Sequence, residues 1–392
     1  MDQSAENMKS LARHANAISF GASSAPDPMV AVEEIQKLIW QHDIAFVIFF
    51  TSPEYDQMDL SKAFQCAFPN IPVVGCTTAG ELTPRGYAEG TITAISFSAR
   101  HFSMDSRLIG NVVARGVSGC SDIAKNLVSD FPCPDGWNTL ALQFADGTSL
   151  QEDALVAALD AGLAPIPLFG GTAGDGMCFK ETFVYHDGIF RTDAALLILI
   201  HTDYQFNEIT FDHFIPTDKQ MVVTDARSEE RVVCEINGEP AAEEYARIIG
   251  YPKDKLGPFL FASFPTLVRA GGRYHVRAIQ SVVDGNCLKF LSAIDVGIVM
   301  TIGEALDIVG AMEKEFQELA KNKGTPALVL GFDCILRKIE IVTLGKKNEI
   351  SRMLAQNNVI GFSTYGEQHN GMHVNQTFVG VAFFPPEDGG QP

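Results

Sequence analysis

Val74-Gly75-Cys76-Thr77-Thr78-Ala79-Gly80-Glu81 decides how this chain is read, because the stretch occurs three times in altered form. Phe169-Gly170-Gly171-Thr172-Ala173-Gly174-Asp175 repeats it with one residue fewer. Ile360-Gly361-Phe362-Ser363-Thr364-Tyr365-Gly366-Glu367 repeats it again. Each copy leaves an apolar run, turns through glycines and hydroxyls, reaches an acidic side chain and enters returning strands. The intervals are irregular, which excludes a solenoid. The copies predict one strand–turn–strand unit reused in a layered α/β (α+β) fold, with mixed sheets covered by helices.

The surroundings agree. Continuous apolar runs predict buried strands at 45–50, 71–74, 91–98, 139–144 and 194–200. Asp27-Pro28 predicts a helix start, with Val32, Ile35, Leu38 and Ile39 at helical spacing. Ser149-Leu150-Gln151-Glu152 has the form of a capping box opening a helix through Leu159. Residues 302–320 read as the clearest helix, with Leu306, Val309, Met312, Phe316 and Leu319 on one face. A new pattern begins after Ile215-Pro216: strands at 221–224 and 231–236, then a helix at 240–249. Two domains are expected, residues 1–216 and 217–392, as befits 392 residues.

Composition narrows the function. A net charge of −19 repels nucleic-acid phosphates and anionic membrane surfaces, so neither is an expected partner. No 18-residue apolar span and no signal peptide are visible, so membrane insertion is not expected. The eight cysteines are scattered singly, with no Cys-x-x-Cys pair and no disulfide framework. A cytoplasmic location follows as the expectation, and a homo-oligomer remains open.

The turns at 75–81 and 361–367 resemble those of FIST-domain proteins, which pair an N-terminal and a C-terminal FIST domain and act as small-ligand sensors. The run Tyr365-Gly366-Glu367-Gln368, followed by Met372-His373-Val374-Asn375-Gln376-Thr377, resembles the nitric-oxide-sensing (NosP) branch. That resemblance implies non-covalent haem b with His373 as axial ligand to the iron. It also implies nitric oxide as stimulus and a histidine kinase or cyclic-di-GMP enzyme as partner. The chain would then be a sensor and not an enzyme.

The chemistry permits this. Alternation through 372–384 predicts one strand with His373, Asn375, Thr377 and Val379 on one face. A strand histidine can bind iron through one nitrogen while the other donates a hydrogen bond. Tyr365, Glu367, Asn375 and Thr377 are the expected pocket lining. A lone strand histidine is, however, more often a hydrogen-bonded structural residue. His369 is the rival ligand, although Asn370-Gly371 beside it reads as a turn tip that leaves it in an exposed loop. His186, His201, His213 and His275 read as structural or surface residues.

Readings of other classes stand beside this one. Glu367, His369 and His373 have the donor types for a zinc or iron site. Gly75-Cys76 and Gly171-Thr172 have the form of junctions in self-processing amino-terminal-nucleophile hydrolases. The bland reading is that glycine there allows close backbone approach. Gly170–Gly176 lacks the Lys-Ser/Thr of a phosphate loop and the spacing of a dinucleotide fingerprint, and reads as a turn. Glu81, Asp175 and Glu367 recur at the ends of the turns. They suit the amine of an amino-acid ligand in a FIST sensor without haem, or the satisfaction of turn amides.

Overall fold

The computed structural model describes residues 17–386 apart from 271, 322 and 370. Apolar runs and amphipathic helices alternate as expected. Ile44–Thr51 and Asn138–Ala145 are strands buried over most of their length. Helix Pro28–Ile39 begins where Asp27 accepts from the amides of Met29 and Val30, at 2.9 and 3.0 Å.

One unit is used three times: edge strand, helix, strand, helix, strand, hairpin, strand. The first runs from Ile18–Ser23 to Ile92–Ser98, and the second from Phe102–Gly110 to Ala194–Thr202. The third runs from Gln205–Phe211 to Phe378–Phe384. Each builds a six-stranded sheet with one parallel pair at its centre: 44–51 with 73–77, 138–145 with 168–172, and 328–334 with 359–364. A parallel pair requires a crossover, supplied each time by helix.

The hairpins are exchanged in a ring. Glu81–Thr83 and Gly86–Ala88 of the first unit complete the third unit's sheet. Val184–His186 and Ile189–Arg191 of the second complete the first. Glu367–His369 and Met372–Val374 of the third complete the second. The inner faces share one apolar core, where Phe50 meets Phe144 and Phe362 at ring separations of 5.5 and 4.7 Å. The outer faces carry separate cores under their helices.

Within the third unit, residues 214–305 form an added layer around an eight-stranded sheet with its own core. Residues 216 and 217, the expected domain joint, lie inside its strand Phe214–Arg227.

Several expectations are corrected. The capping box does not form: Ser149 Oγ donates to Asp146 O, and Gln151 precedes helix Glu152–Leu163 without a side-chain cap bond. The helix expected from 302 begins at Ile308, because Val299–Ala305 is a strand and Asp307 provides the cap. Cys234 and Cys287, on neighbouring strands, form a disulfide, so the cysteines do not all remain single. Among the described residues no helix is long and apolar enough to cross a membrane.

Candidate functional site

The repeated acidic residues make the same bonds in two units. Thr78 donates to Glu81 as Thr364 does to Glu367. The amide of Thr91 reaches Glu81 at 3.2 Å, and that of Thr377 reaches Glu367 at 3.2 Å. Burial pushes Glu81 up to about 7, against the hydrogen bonds from Thr78 and Thr91 that favour the anion. Burial likewise pushes Glu367 well above the carboxylate range. The shorter middle turn differs. Asp175 accepts from the amides of Phe179, Lys180 and Glu181 and from the Tyr365 hydroxyl. Burial alone would raise Asp175, but these bonds hold it below its ordinary value. All three carboxylates thus satisfy turn groups, and a shared fold role explains their recurrence.

Glu81 and Asp175 also border a cavity of about 480 Å³, closed on another side by helix Ile335–Thr343. Lys338 of that helix donates to Ala79 O at 3.0 Å and pairs with Glu89 at 2.7 Å. Glu367 does not reach this cavity.

His373 lies elsewhere, in the second sheet near helix Glu152–Leu163, and is 2% exposed. Burial pushes its pKa down to about 4, with nearby Asp153 opposing and Arg231 and Arg277 assisting. The ring is therefore neutral near pH 7. Neither ring nitrogen has a hydrogen-bond partner among the described residues, so it is not the bonded structural histidine that strand histidines commonly are.

Its row across the sheet is His373, Gln368, Gly170, Gln143. Both glutamines are 0% exposed, and their amide nitrogens and oxygens are also without partners. The other two sheets supply an internal control. The equivalent rows read Phe190, Tyr185, Gly75, Phe49 and Tyr87, Leu82, Gly361, Gly331. Two rows carry aromatic, aliphatic or glycine positions; the third carries two amides and an imidazole. Gln143 and Gln368 were not among the residues expected from the sequence. The available signal was a single glutamine inside the apolar run Leu140-Ala141-Leu142-Gln143-Phe144.

The remaining expected residues serve other positions. Tyr365 stacks on Phe179 with centroids 4.3 Å apart. Asn375 Oδ1 accepts from Ser292 Oγ at 2.9 Å and from the Ala278 amide at 3.3 Å, tying the hairpin to the added layer. Thr377 Oγ1 donates to Asn375 O at 3.0 Å. The single strand expected through 372–384 is broken at Gln376, whose φ is +51°, so His373, Asn375 and Thr377 do not share a strand face. His369 is not an exposed loop residue: it is buried on Glu367–His369, with Nε2 2.6 Å from Glu208 Oε1. Glu367 and His369 point to one face of that strand while Gln368 and its neighbour His373 point to the other. The three-residue metal site therefore does not assemble, and no cluster of three metal-ligand side chains occurs among the described residues. The Gly75–Cys76 and Gly171–Thr172 bonds lie inside buried strands; a methyl group on Gly75 would collide with the Phe49 carbonyl.

The donor chemistry at His373 fits an axial ligand, being a neutral imidazole without a partner. The space does not fit haem in this closed arrangement. A methyl group on Gly366 would collide with the imidazole ring, and the cavities of about 480 and 590 Å³ do not border His373.

Residues 45–239 match the FIST N domain and residues 241–370 the FIST C domain. The chain belongs to the FIST-domain family, whose domains are sensory and bind small ligands. It is also 23% identical to an uncharacterized protein of Methanocaldococcus jannaschii, over 90% of this chain and 75% of that one.

Proposed function

We propose that the chain is a sensor that recognises a small ligand at His373, Gln143 and Gln368 and passes the response to a partner protein. The row of six buried polar atoms without a partner among the described residues carries this reading. Each costs about 1–3 kcal/mol when left unsatisfied, an expense relieved when a bound molecule supplies the missing partners. A ligand then shifts the protein between two arrangements by binding them unequally.

The specific form implied by the NosP resemblance is a haem-based nitric oxide sensor acting on a histidine kinase or cyclic-di-GMP enzyme. Haem would supply an iron able to take a neutral diatomic ligand, and His373 is the residue that would hold it. The neutral, unbonded ring of His373 supports this form. Its enclosure adds a requirement, that hairpin 367–374 move away from helix Glu152–Leu163. The test is the absorption spectrum of protein produced with haem available. A Soret band that shifts with nitric oxide and is lost in His373→Ala is the expected result. Absence of haem from the wild type removes the haem form, and a spectrum unchanged in His373→Ala removes His373 as the ligand.

A second reading is favoured by the convergence of Glu81, Asp175 and Lys338 on the cavity of about 480 Å³. Carboxylates on one side and an ammonium on another suit the two charged ends of an amino acid. Calorimetric titration with the common amino acids tests it, with Lys338→Met expected to abolish any heat.

A further inference from the structure

Between the middle turn and the added layer runs a groove of about 590 Å³ that adjoins the cavity of about 480 Å³ at Met177 and Cys178 and does not border His373. Its walls are apolar: Leu256, Pro258, Phe261, Val282 and Leu336. It meets a smaller pocket of about 90 Å³, and the two share Phe179, Gln280, Lys289 and Leu291. The combination of a mostly apolar cleft with a few polar groups at one end is the usual form of a small-molecule site.

The polar end decides the ligand class. Lys289 stands on strand Cys287–Phe290, half-buried, and its ammonium has no ion pair or hydrogen bond among the described residues. Gln280 beside it likewise leaves its amide unbonded. The other cation at the junction, Arg231, is already neutralised by Glu152 and Asp153. A chain of net charge −19 repels anions from most of its surface, so an unpaired ammonium at the end of an apolar groove selects for one. We infer that this groove binds a single-chain aliphatic carboxylate, with its tail along Leu256, Phe261 and Val282 and its carboxylate on Lys289 and Gln280. A tail in the groove touches Phe179, whose ring stacks on Tyr365 at the turn before Gly366 and Glu367. Occupancy is therefore placed to report to the hairpin that carries His373. The inference does not depend on what binds at His373.

The test uses soluble octanoate, decanoate and dodecanoate below their micellar concentrations, with decanol as the uncharged control. Each added CH₂ should tighten binding about fourfold, the equivalent of about 0.8 kcal/mol of apolar burial. Decanoate should bind roughly tenfold or more tightly than decanol, the scale of a charge-assisted hydrogen bond. Lys289→Met should remove that preference and leave decanol binding unchanged. Val282→Trp should weaken both ligands by filling the groove. Equal affinity for decanoate and decanol overturns the inference, as does undiminished decanoate binding by Lys289→Met or lack of binding to the wild type. Sedimentation with phosphatidylglycerol vesicles in place of soluble decanoate binding also overturns it, because the surface would then be reading a lipid bilayer.

Discussion

Tyr87 and His373 occupy the same place on equivalent hairpins, facing Leu82 and Gln368 respectively. Tyr87 gives its hydroxyl proton to Asp333, whereas His373 gives and receives nothing among the described residues. One copy of the position has been settled into the fold; the other has been left chemically open.

Gln143→Leu and Gln368→Leu convert the open row toward its two apolar counterparts. Each removes two unsatisfied polar atoms at similar side-chain size. Unfolding free energy should stay level or rise by about 1 kcal/mol, while the ligand response is lost. A loss of stability above about 2 kcal/mol in denaturant melts would mean that these amides are structural.

The pH dependence has two opposing arms. His373 falls from its ordinary 6.5 to about 4 on folding, so its charged form is disfavoured in the fold. Stability is unaffected above pH 6.5 and drops as pH falls toward 4, by up to about 3 kcal/mol. His373→Phe should flatten that arm. Glu81 rises from 4.5 to about 7, so its contribution is complete below pH 4.5 and is lost as pH climbs through 7. Glu81→Gln should make the second arm shallower, with Glu367, also raised by burial, supplying what remains. Melting temperatures from pH 4 to 8 distinguish the two.

Arg337 is fully buried, bonded to Asp333 at 2.7 Å and set over the Phe211 ring at 5.0 Å. Arg337→Ala should cost about 3–5 kcal/mol, because Asp333 then remains as a buried charge without its cation. Lys37→Ala, which breaks an exposed pair with Glu33, should cost less than about 1 kcal/mol. Urea midpoints provide the comparison.

The disulfide between Cys234 and Cys287 clips two adjacent strands of the added layer. Cys287→Ser should lower stability by about 2–4 kcal/mol. Denatured, unreduced protein should titrate six thiols, those of Cys66, Cys76, Cys120, Cys133, Cys178 and Cys334. Eight would show the clip to be absent.

Local chemistry explains which features are legible in the sequence alone. Asp27-Pro28 and the apolar strands need only their neighbours, and they fold as expected. The glycine-punctuated turns ending in an acidic residue mark the recurring unit, and in two of the three the carboxylate bonds a threonine three residues before it. Residues 302–305 misled because a strand's apolar positions continued the period of the following helix. His369 looked exposed beside Gly371, yet Glu208 draws it inward from a strand far away in the chain. The row of Gln143, Gln368 and His373 joins three strands across the second sheet. No spacing within one segment encodes such a register.

The ring of exchanged hairpins carries a consequence for biosynthesis. On a ribosome, the first unit emerges carrying hairpin 81–88, whose sheet does not yet exist, and it awaits 184–191 to cover its own edge. The second unit then waits with an open edge until 367–374 has been translated. Residues through 374 must leave the exit tunnel before the circle closes, and until then an unpaired strand edge stays exposed on the nascent chain.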